Sequence, residues 1–346
     1  MKDFLHILAA GETLTQNQAE QAMRLMMTGE SEPEQMAGLL MGLRSRGETL
    51  DELVGFTRVM REYAVKVACD DPRAIDLCGT GGDSRGTFNI STAAAFVCAG
   101  AGATVAKHGN RSVSSKCGSA DVLEALGVNI ALRKEGVERC LREAGIAFLF
   151  APFFHPAMRH VMPTRRKLGV RTFFNILGPL CNPAGVKHQL VGAFNTHVAE
   201  RMAGILARLD AEHVLTIHAE DGLDEVSLIS VSTAFEHAAS CSKQSALVHR
   251  FDIRPEDHGF TRIAPEMLRG GSAKENADIL RSIFDGRQGP HRDVVLLNAA
   301  YALHTSDRFE SLEACFDAAR ESIDSGAAMA RLTLLIDVSN STPRAA

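Results

Sequence analysis

The chain contains no tryptophan and only two tyrosines, and aromatic residues make up 5% of it. A stacking platform for single-stranded nucleic acid needs more π surface than that. A basic excess is also missing: 37 Lys and Arg stand against 42 Asp and Glu, a net charge of −5. This argues against a dedicated nucleic-acid binder, while leaving room for a local basic pocket that takes a phosphorylated small molecule. No apolar run approaches the roughly 20 residues of a membrane span. The start, Met1-Lys2-Asp3-Phe4-Leu5-His6, turns polar too soon for a secretory signal. The eight cysteines form no CxxC pair, so they read as reduced, packed thiols and the chain as cytoplasmic.

What is present is enough for a packed core. Of 346 residues, 45% are apolar and 23% charged, which rules out wholesale disorder and suggests about two domains. The first 65 residues read as helical. Thr15 with Gln18, Ser31 with Glu34 and Thr49 with Glu52 each carry the spacing of a capping box. Apolar stripes follow at helical spacing: Met23, Leu25 and Met26; Met36, Leu39, Leu40 and Leu43; Leu50, Leu53, Val54, Phe56 and Met60. Gly29 and Gly47 stand where helix C-caps belong. The methionine-rich stripes read as helix packing, within the domain or across a dimer, rather than as a cofactor box.

The pattern changes near Asp70-Asp71-Pro72. Apolar stretches at 74–77, 103–106, 146–150, 189–194 and 213–218 read as strands. Segments 91–100, 122–126, 134–144 and 198–208 read as helices between them, with two more at 273–284 and 293–303. Such alternation predicts an α/β fold with a central, mostly parallel sheet flanked by helices. The expected organisation is a small helical domain over residues 1–70 and an α/β domain over 71–346, with 339–346 as a frayed tail.

Four segments concentrate chemistry. In the first, an apolar strand runs into Gly79-Thr80-Gly81-Gly82-Asp83-Ser84-Arg85-Gly86-Thr87-Phe88-Asn89-Ile90-Ser91-Thr92. Glycines let backbone N–H groups approach an anion, and the following helix adds its N-terminal dipole. By spacing alone this is either a phosphate cradle or an ordinary glycine-rich turn; it is neither a Walker A loop nor GxGxxG. The second, Lys107-His108-Gly109-Asn110-Arg111-Ser112-Val113-Ser114-Ser115-Lys116-Cys117-Gly118-Ser119, follows the next strand and should open at the same carboxyl edge of the sheet. The third, Glu220-Asp221-Gly222-Leu223-Asp224-Glu225, is either a solvated acidic turn or a pair of carboxylates for Mg²⁺. The fourth runs from His155 to Leu180 and mixes Arg159, Arg165, Arg166, Lys167 and Arg171 with apolar residues. An Arg beside apolar surface is a good seat for an aromatic carboxylate, though most of these basics read as a solvated face.

Taken together, Gly79-Thr-Gly-Gly-Asp83, Thr87/Asn89-x-Ser91-Thr92, Lys107-His-Gly-Asn-Arg111, Ser112–Ser115, Asp224-Glu225 and Arg171-Thr-x-Phe-Asn175-x-Leu-Gly-Pro-Leu180 resemble the anthranilate phosphoribosyltransferase family, from the N-terminal helices to about Leu303. The resemblance implies the nucleoside phosphorylase and phosphoribosyltransferase fold, with helices around 165–185 joining the helical domain and a homodimer formed through it. The implied substrates are 5-phosphoribosyl 1-diphosphate (PRPP) and anthranilate. PRPP would be held by Gly79, Gly82, Asp83, Thr87, Asn89, Ile90, Ser91, Thr92, Lys107, His108, Gly109, Asn110, Arg111 and Ser119. The Asn110–Ser115 loop, with Ser112, Val113, Ser114 and Ser115, would close on it. Anthranilate would touch Gly79, His108, Asn110, His155 and Arg165. Mg²⁺ would sit on Ser91, Asp224 and Glu225. Lys107, Asn110 and Arg165 would carry catalysis by stabilising the departing diphosphate and positioning the amine. Ser84 stands where the family usually has Gly, and Cys117 where Ser is common. The alternatives are a pyrimidine nucleoside phosphorylase-like enzyme, which would not need the acidic pair, and a non-catalytic nucleic-acid-binding relative, which the negative charge disfavours.

Overall fold

The computed structural model describes residues 1–81, 85–111, 116–239 and 248–342. Four helices come first: α1 (Lys2–Ala9), α2 (Gln16–Thr28), α3 (Pro33–Arg46) and α4 (Leu50–Glu62). The Thr15 and Thr49 capping boxes form, each hydroxyl accepting the N3 amide while the N3 side chain accepts the cap amide. Gly29 closes α2 in the left-handed conformation that glycine adopts without strain. The Ser31 box does not form. Pro33 takes the first position of α3, where its fixed φ and missing N–H are harmless, so Glu32 becomes the N-cap and makes no side-chain cap bond.

The rest of the chain runs β1 (Ile75–Gly79), α5 (Ile90–Gly100), β2 (Val105–Gly109), α6 (Ser119–Leu126), α7 (Lys134–Ala144), β3 (Ile146–Phe150), α8 (Ala151–Phe154), a 3₁₀ turn (Pro156–His160), α9 (Met162–Leu168), α10 (Phe174–Leu180), β4 (His188–Gly192), α11 (Thr196–Ala207), β5 (His213–Ala219), β6 (Ser232–Ala238), β7 (His249–Ile253), α12 (Ala273–Phe284), α13 (Pro290–Thr305), α14 (Leu312–Asp324) and α15 (Ala327–Asn340). The sheet order is β3-β2-β1-β4-β5-β6-β7. The five strands β1–β5 run parallel, while β6 and β7 are antiparallel additions at one edge. The strand order reverses between β1 and β4. In an open α/β sheet that switch point leaves a crevice at the carboxyl ends of the two strands.

Two apolar clusters cover the sheet. One gathers α5–α7 and α12–α15 against it. The other contains Met23, Met26, Met36, Leu39, Leu40, Leu43 and Phe56 from the N-terminal helices, Phe174, Ile176 and Leu177 from α10, Met202 and Ile205 from α11, and Val191 and Val214 from the sheet. Phe56 stacks on Phe173 with ring centroids 4.3 Å apart. The methionine stripes therefore fill a helix–helix core, as their flexible side chains suit them to do.

The end of the chain corrects the expected frayed tail. Helix α15 runs to Asn340, and Ser339 is fully buried. Its hydroxyl accepts the Asn129 amide at 3.1 Å, and its carbonyl accepts from Asn129 Nδ2 at 3.2 Å. Residues 343–346 lie outside the described part. Among the described residues, no helix is long and apolar enough to cross a membrane.

Candidate functional site

Gly79 ends β1, and its partner in register is Gly192, the end of β4. The backbone of Asp224 crosses this point: a Cβ on Gly192 would stand 1.5 Å from the Asp224 carbonyl oxygen, and one on Gly79 would stand 2.5 Å from Asp224 Oδ2. Both positions thus require glycine, because any side chain would push the acidic pair away. The Gly81 amide donates to Asp224 Oδ2 at 3.0 Å, and the Ser91 amide at the start of α5 donates to Glu225 Oε1 at 3.2 Å. The glycine loop, the N-terminus of α5 and the acidic pair therefore meet at the switch point.

The acidic turn holds Asp224 and Glu225 between two anchors. Asp221 is used up internally, accepting from Leu223 N and from the Ser227 hydroxyl. Asn298 of α13 clamps the next residue, accepting from the Val226 amide and donating to its carbonyl. Asp224 and Glu225 lie between these anchors. Neither Asp221 nor Asn298 was singled out by the sequence; an Asx-type turn is a readable signal for the first, but nothing local marks the second.

Lys107 on β2 is buried, with its ammonium donating to the Leu77 carbonyl and to the Ser91 hydroxyl. It stands behind the start of α5 rather than out in the crevice. Asp76, also fully buried, was missed by the sequence reading, although an acid inside the apolar run Ile75–Leu77 is itself a signal. Its Oδ1 accepts the His108 amide at 3.1 Å and its Oδ2 accepts from Asn182 Nδ2 at 2.8 Å. Burial pushes the Asp76 carboxyl up to about 6, with the Lys107 charge working against the rise. His108 and His155 lie with ring centroids 5.1 Å apart, and burial lowers them to about 3 and about 4. Both rings are therefore neutral at pH 7, and the Nε2 atom of each is buried without a partner.

Arg165 projects from α9 with its guanidinium 4.9 Å from the centre of the Phe174 ring, a cation–π contact. Among the described residues it makes no ion pair, and it is half-buried where Arg166 and Lys167 are exposed. The structure thus separates one Arg from the solvated face the sequence showed.

The remaining expected site residues are placed as follows. The side chain of Ile90 lies in the core and its amide bonds the Phe88 carbonyl, because it is the first apolar position of α5. Asn89 is engaged by the scaffold: its Nδ2 donates to the Cys117 carbonyl and its Oδ1 accepts from Asn276. Cys117 packs there as well, its thiol donating to Asn89 Oδ1 at 3.4 Å. Arg111 turns onto α6, paired with Asp121 and Glu124 at 2.8 and 2.6 Å. Asn110 is exposed, and its carbonyl accepts from the Ser119 hydroxyl. Thr87 bridges to Arg269, and Thr92 is buried with its hydroxyl unpartnered. Gly109 sits against Ser119 and the Phe148 ring. Gly82, Asp83, Ser84, Ser112, Val113, Ser114 and Ser115 lie outside the described residues.

Comparisons with known proteins agree with this geometry. The family model described as "Glycosyl transferase family, helical bundle domain" matches residues 2–64, and "Glycosyl transferase family, a/b domain" matches residues 71–329. Anthranilate phosphoribosyltransferase of Salinibacter ruber is 64% identical over 340 residues, 98% of each chain. The crystal structure of the Thermus thermophilus anthranilate phosphoribosyltransferase superposes with a TM-score of 0.90 at 40% identity, covering 98% of this chain and 99% of that one. The Saccharomyces cerevisiae enzyme, solved in complex with PRPP and Mg, gives a TM-score of 0.88 at 26% identity, covering 98% and 97%. On sequence and on structure alike, the chain belongs to the glycosyl transferase family and, within it, to the anthranilate phosphoribosyltransferases.

Proposed function

We propose that this chain transfers the phosphoribosyl group of PRPP to the amine of anthranilate, giving N-(5-phosphoribosyl)anthranilate and diphosphate, the second step of tryptophan biosynthesis from chorismate. The observation that carries the reading is the meeting of the Gly79–Gly81 backbone, the α5 N-terminus and the Asp224-Glu225 pair at one switch point. A phosphorylase-like enzyme would not need that pair.

Ser91, Asp224 and Glu225 offer a hydroxyl and two carboxylates, an all-oxygen donor set that fits Mg²⁺. When bound, the ion neutralises negative charge on the diphosphate. The chain's own groups do the rest. The start of α5 presents its positive dipole end to the phosphates, with Gly79, Gly82, Asp83, Thr87 and Thr92 as further contacts. Lys107 acts from behind, fixing the Ser91 hydroxyl and adding positive charge beneath the cradle. Arg165 takes the anthranilate carboxylate, while the neutral rings of His108 and His155, with Asn110 and Gly79, line the acceptor side. The arylamine already carries a lone pair at neutral pH, so no general base is required. Catalysis is then positioning plus electrostatic stabilisation of the leaving group.

The reading includes a division into residues 1–70 and 71–346, supported by the family matches, and a homodimer through the helical domain. The latter draws support from α1, whose Phe4, Leu5 and Leu8 are only partly covered, and from the exposed Met41 on α3. A cytoplasmic location fits a biosynthetic enzyme with free thiols at Cys69, Cys78, Cys98, Cys117, Cys140, Cys181 and Cys315.

The test is direct. Anthranilate fluorescence should fall only when protein, PRPP and Mg²⁺ are all present, and chelation should stop the loss. Asp224→Asn and Glu225→Gln should raise the Mg²⁺ needed for half-maximal rate. A fluorescence loss that does not depend on PRPP would refute the assignment.

A further inference from the structure

A second cluster of ligating side chains lies at the opposite edge of the sheet. His213 is the first residue of β5, so it marks the amino edge of the parallel strands, whereas Gly79, Gly192 and Asp224 gather at the carboxyl edge. Glu236 reaches His213 from β6, the antiparallel neighbour. His304 comes from the last turn of α13. His213 Nε2 lies 2.9 Å from Glu236 Oε1, and His304 Nε2 lies 3.2 Å from the same oxygen. One ligand atom from each of the three falls within 4.8 Å of the others.

These separations are compatible with a shared ion. Zinc–nitrogen and zinc–oxygen bonds of about 2.0–2.2 Å at tetrahedral angles put ligand atoms roughly 3.3 Å apart. The two separations from Glu236 Oε1 are already close to that spacing. The set is also oriented from behind. Asp307 Oδ1 stands 2.7 Å from His213 Nδ1, the carboxylate–histidine contact that orients a metal-ligating imidazole, while Nε2 faces Glu236. Asp307 itself has a φ of 52°, a left-handed conformation uncommon outside glycine and held here with its carboxylate on His213. His213 is almost wholly buried, while His304 is 36% exposed, so the cluster meets solvent on the His304 side.

We propose that His213 Nε2, Glu236 Oε1 and His304 Nε2 form a zinc site that clips β5 and β6 to the end of α13, with Asp307 orienting His213. Two imidazoles and one carboxylate select a borderline ion such as Zn²⁺ over Mg²⁺, which prefers oxygen ligands. Coordination replaces any proton on the two Nε2 atoms, and these protons pass to solvent. Because the ion binds the folded chain, it raises stability by mass action. The site holds no residue of the reaction centre.

The experiment uses the full chain, stripped with a chelator and then titrated with Zn²⁺ against a chromophoric zinc indicator. Thermal unfolding is followed in parallel with Zn²⁺ or Mg²⁺. Since cysteines also take zinc, the reading is the difference between wild type and His304→Gln, a partly exposed position whose loss spares the core. Wild type should bind one more equivalent than the variant, with a Kd below about 10 μM, and should show a Zn²⁺-dependent rise in Tm that the variant lacks. Glu236→Gln should behave like His304→Gln. Millimolar Mg²⁺ should not compete, and PRPP turnover at saturating Mg²⁺ should be unchanged in His304→Gln. X-ray absorption on the extra equivalent should show only nitrogen and oxygen neighbours. Equal zinc binding and equal Tm response in wild type and His304→Gln, or sulfur ligation of that equivalent, would overturn the proposal.

Discussion

Gly192 and Asp224 are packed so closely that a Cβ on the first would stand 1.5 Å from the carbonyl oxygen of the second. The end of β4 thus acts as a seat for the acidic turn, and the turn can occupy its place only because the strand ends in glycine. Gly192→Ala should displace Asp224 and Glu225 from Gly81 and Ser91. The expected result is a folded enzyme whose Mg²⁺ half-saturation rises and whose kcat/KM falls by at least about tenfold, roughly 1.4 kcal/mol. An unchanged Mg²⁺ dependence in the folded variant would separate the acidic pair from this seat.

The local parts of this site were readable because each is a short pattern with a local cause. The glycine run after an apolar stretch, the basic loop after the next strand and the adjacent carboxylates each mark a strand end. The Thr15 and Thr49 caps could be read for the same reason: donor and acceptor lie three residues apart. What could not be read depends on distant partners. Asn182 holds Asp76 across 106 positions, Asn298 holds Val226 across 72, and Ser339 is buried by Asn129 across 210. Ser31 misled because a proline two residues on moved the helix start. Strand β7 escaped because it is the exposed edge of the sheet and mixes apolar and polar residues, His249-Arg250-Phe251-Asp252-Ile253; β6 escaped because Glu236 and His237 interrupt its apolar run although the strand is largely buried.

Asp76 should prove a positioning residue. Its two oxygens tie the start of the His108 loop to Asn182, and its charge faces Lys107. In Asp76→Asn the new amide meets the Asn182 donor with a donor of its own, and the buried Lys107 loses its counter-charge. The variant should lose about 1–3 kcal/mol in urea unfolding and should raise the KM for PRPP more than that for anthranilate. A loss of stability with both KM values unchanged would leave Asp76 a purely structural role.

The buried histidines set an acid limit. His108 and His155 titrate near 6.5 when unfolded but are lowered by burial to about 3 and about 4 in the folded chain. Between those values the unfolded chain binds protons that the folded chain refuses. Their contribution is complete above about pH 6.5 and is lost as the pH falls toward 4, by about 2 kcal/mol for each ring at pH 5. Asp76 runs the other way. Its carboxyl, raised from 3.8 to about 6, takes up a proton on folding below pH 6 and returns about 1 kcal/mol at pH 5. The Tm should therefore fall between pH 7 and pH 5, and fall further in Asp76→Asn. Nitrogen NMR of the two rings should show neutral imidazole at pH 5.5; protonated rings at that pH would refute the account.

Arg165 divides the acceptor side of the site from the phosphate side. Its guanidinium lies over the Phe174 ring, half-buried and without an ion pair among the described residues, so its charge remains available to an incoming carboxylate. Anthranilate presents such a group on a flat ring, and a guanidinium can meet it with two parallel hydrogen bonds. Charge-assisted hydrogen bonds are worth about 1.5–3 kcal/mol each. Arg165→Ala should therefore raise the KM for anthranilate well above tenfold and move that for PRPP much less. Arg165→Lys should recover only part of the loss, because an ammonium keeps the charge but not the fork. The neighbour Arg166 lies on the same helix, exposed and turned roughly 100° away, and Arg166→Ala should change neither constant appreciably. Equal effects of Arg165→Ala on both substrates, or a larger effect at Arg166, would place the acceptor elsewhere.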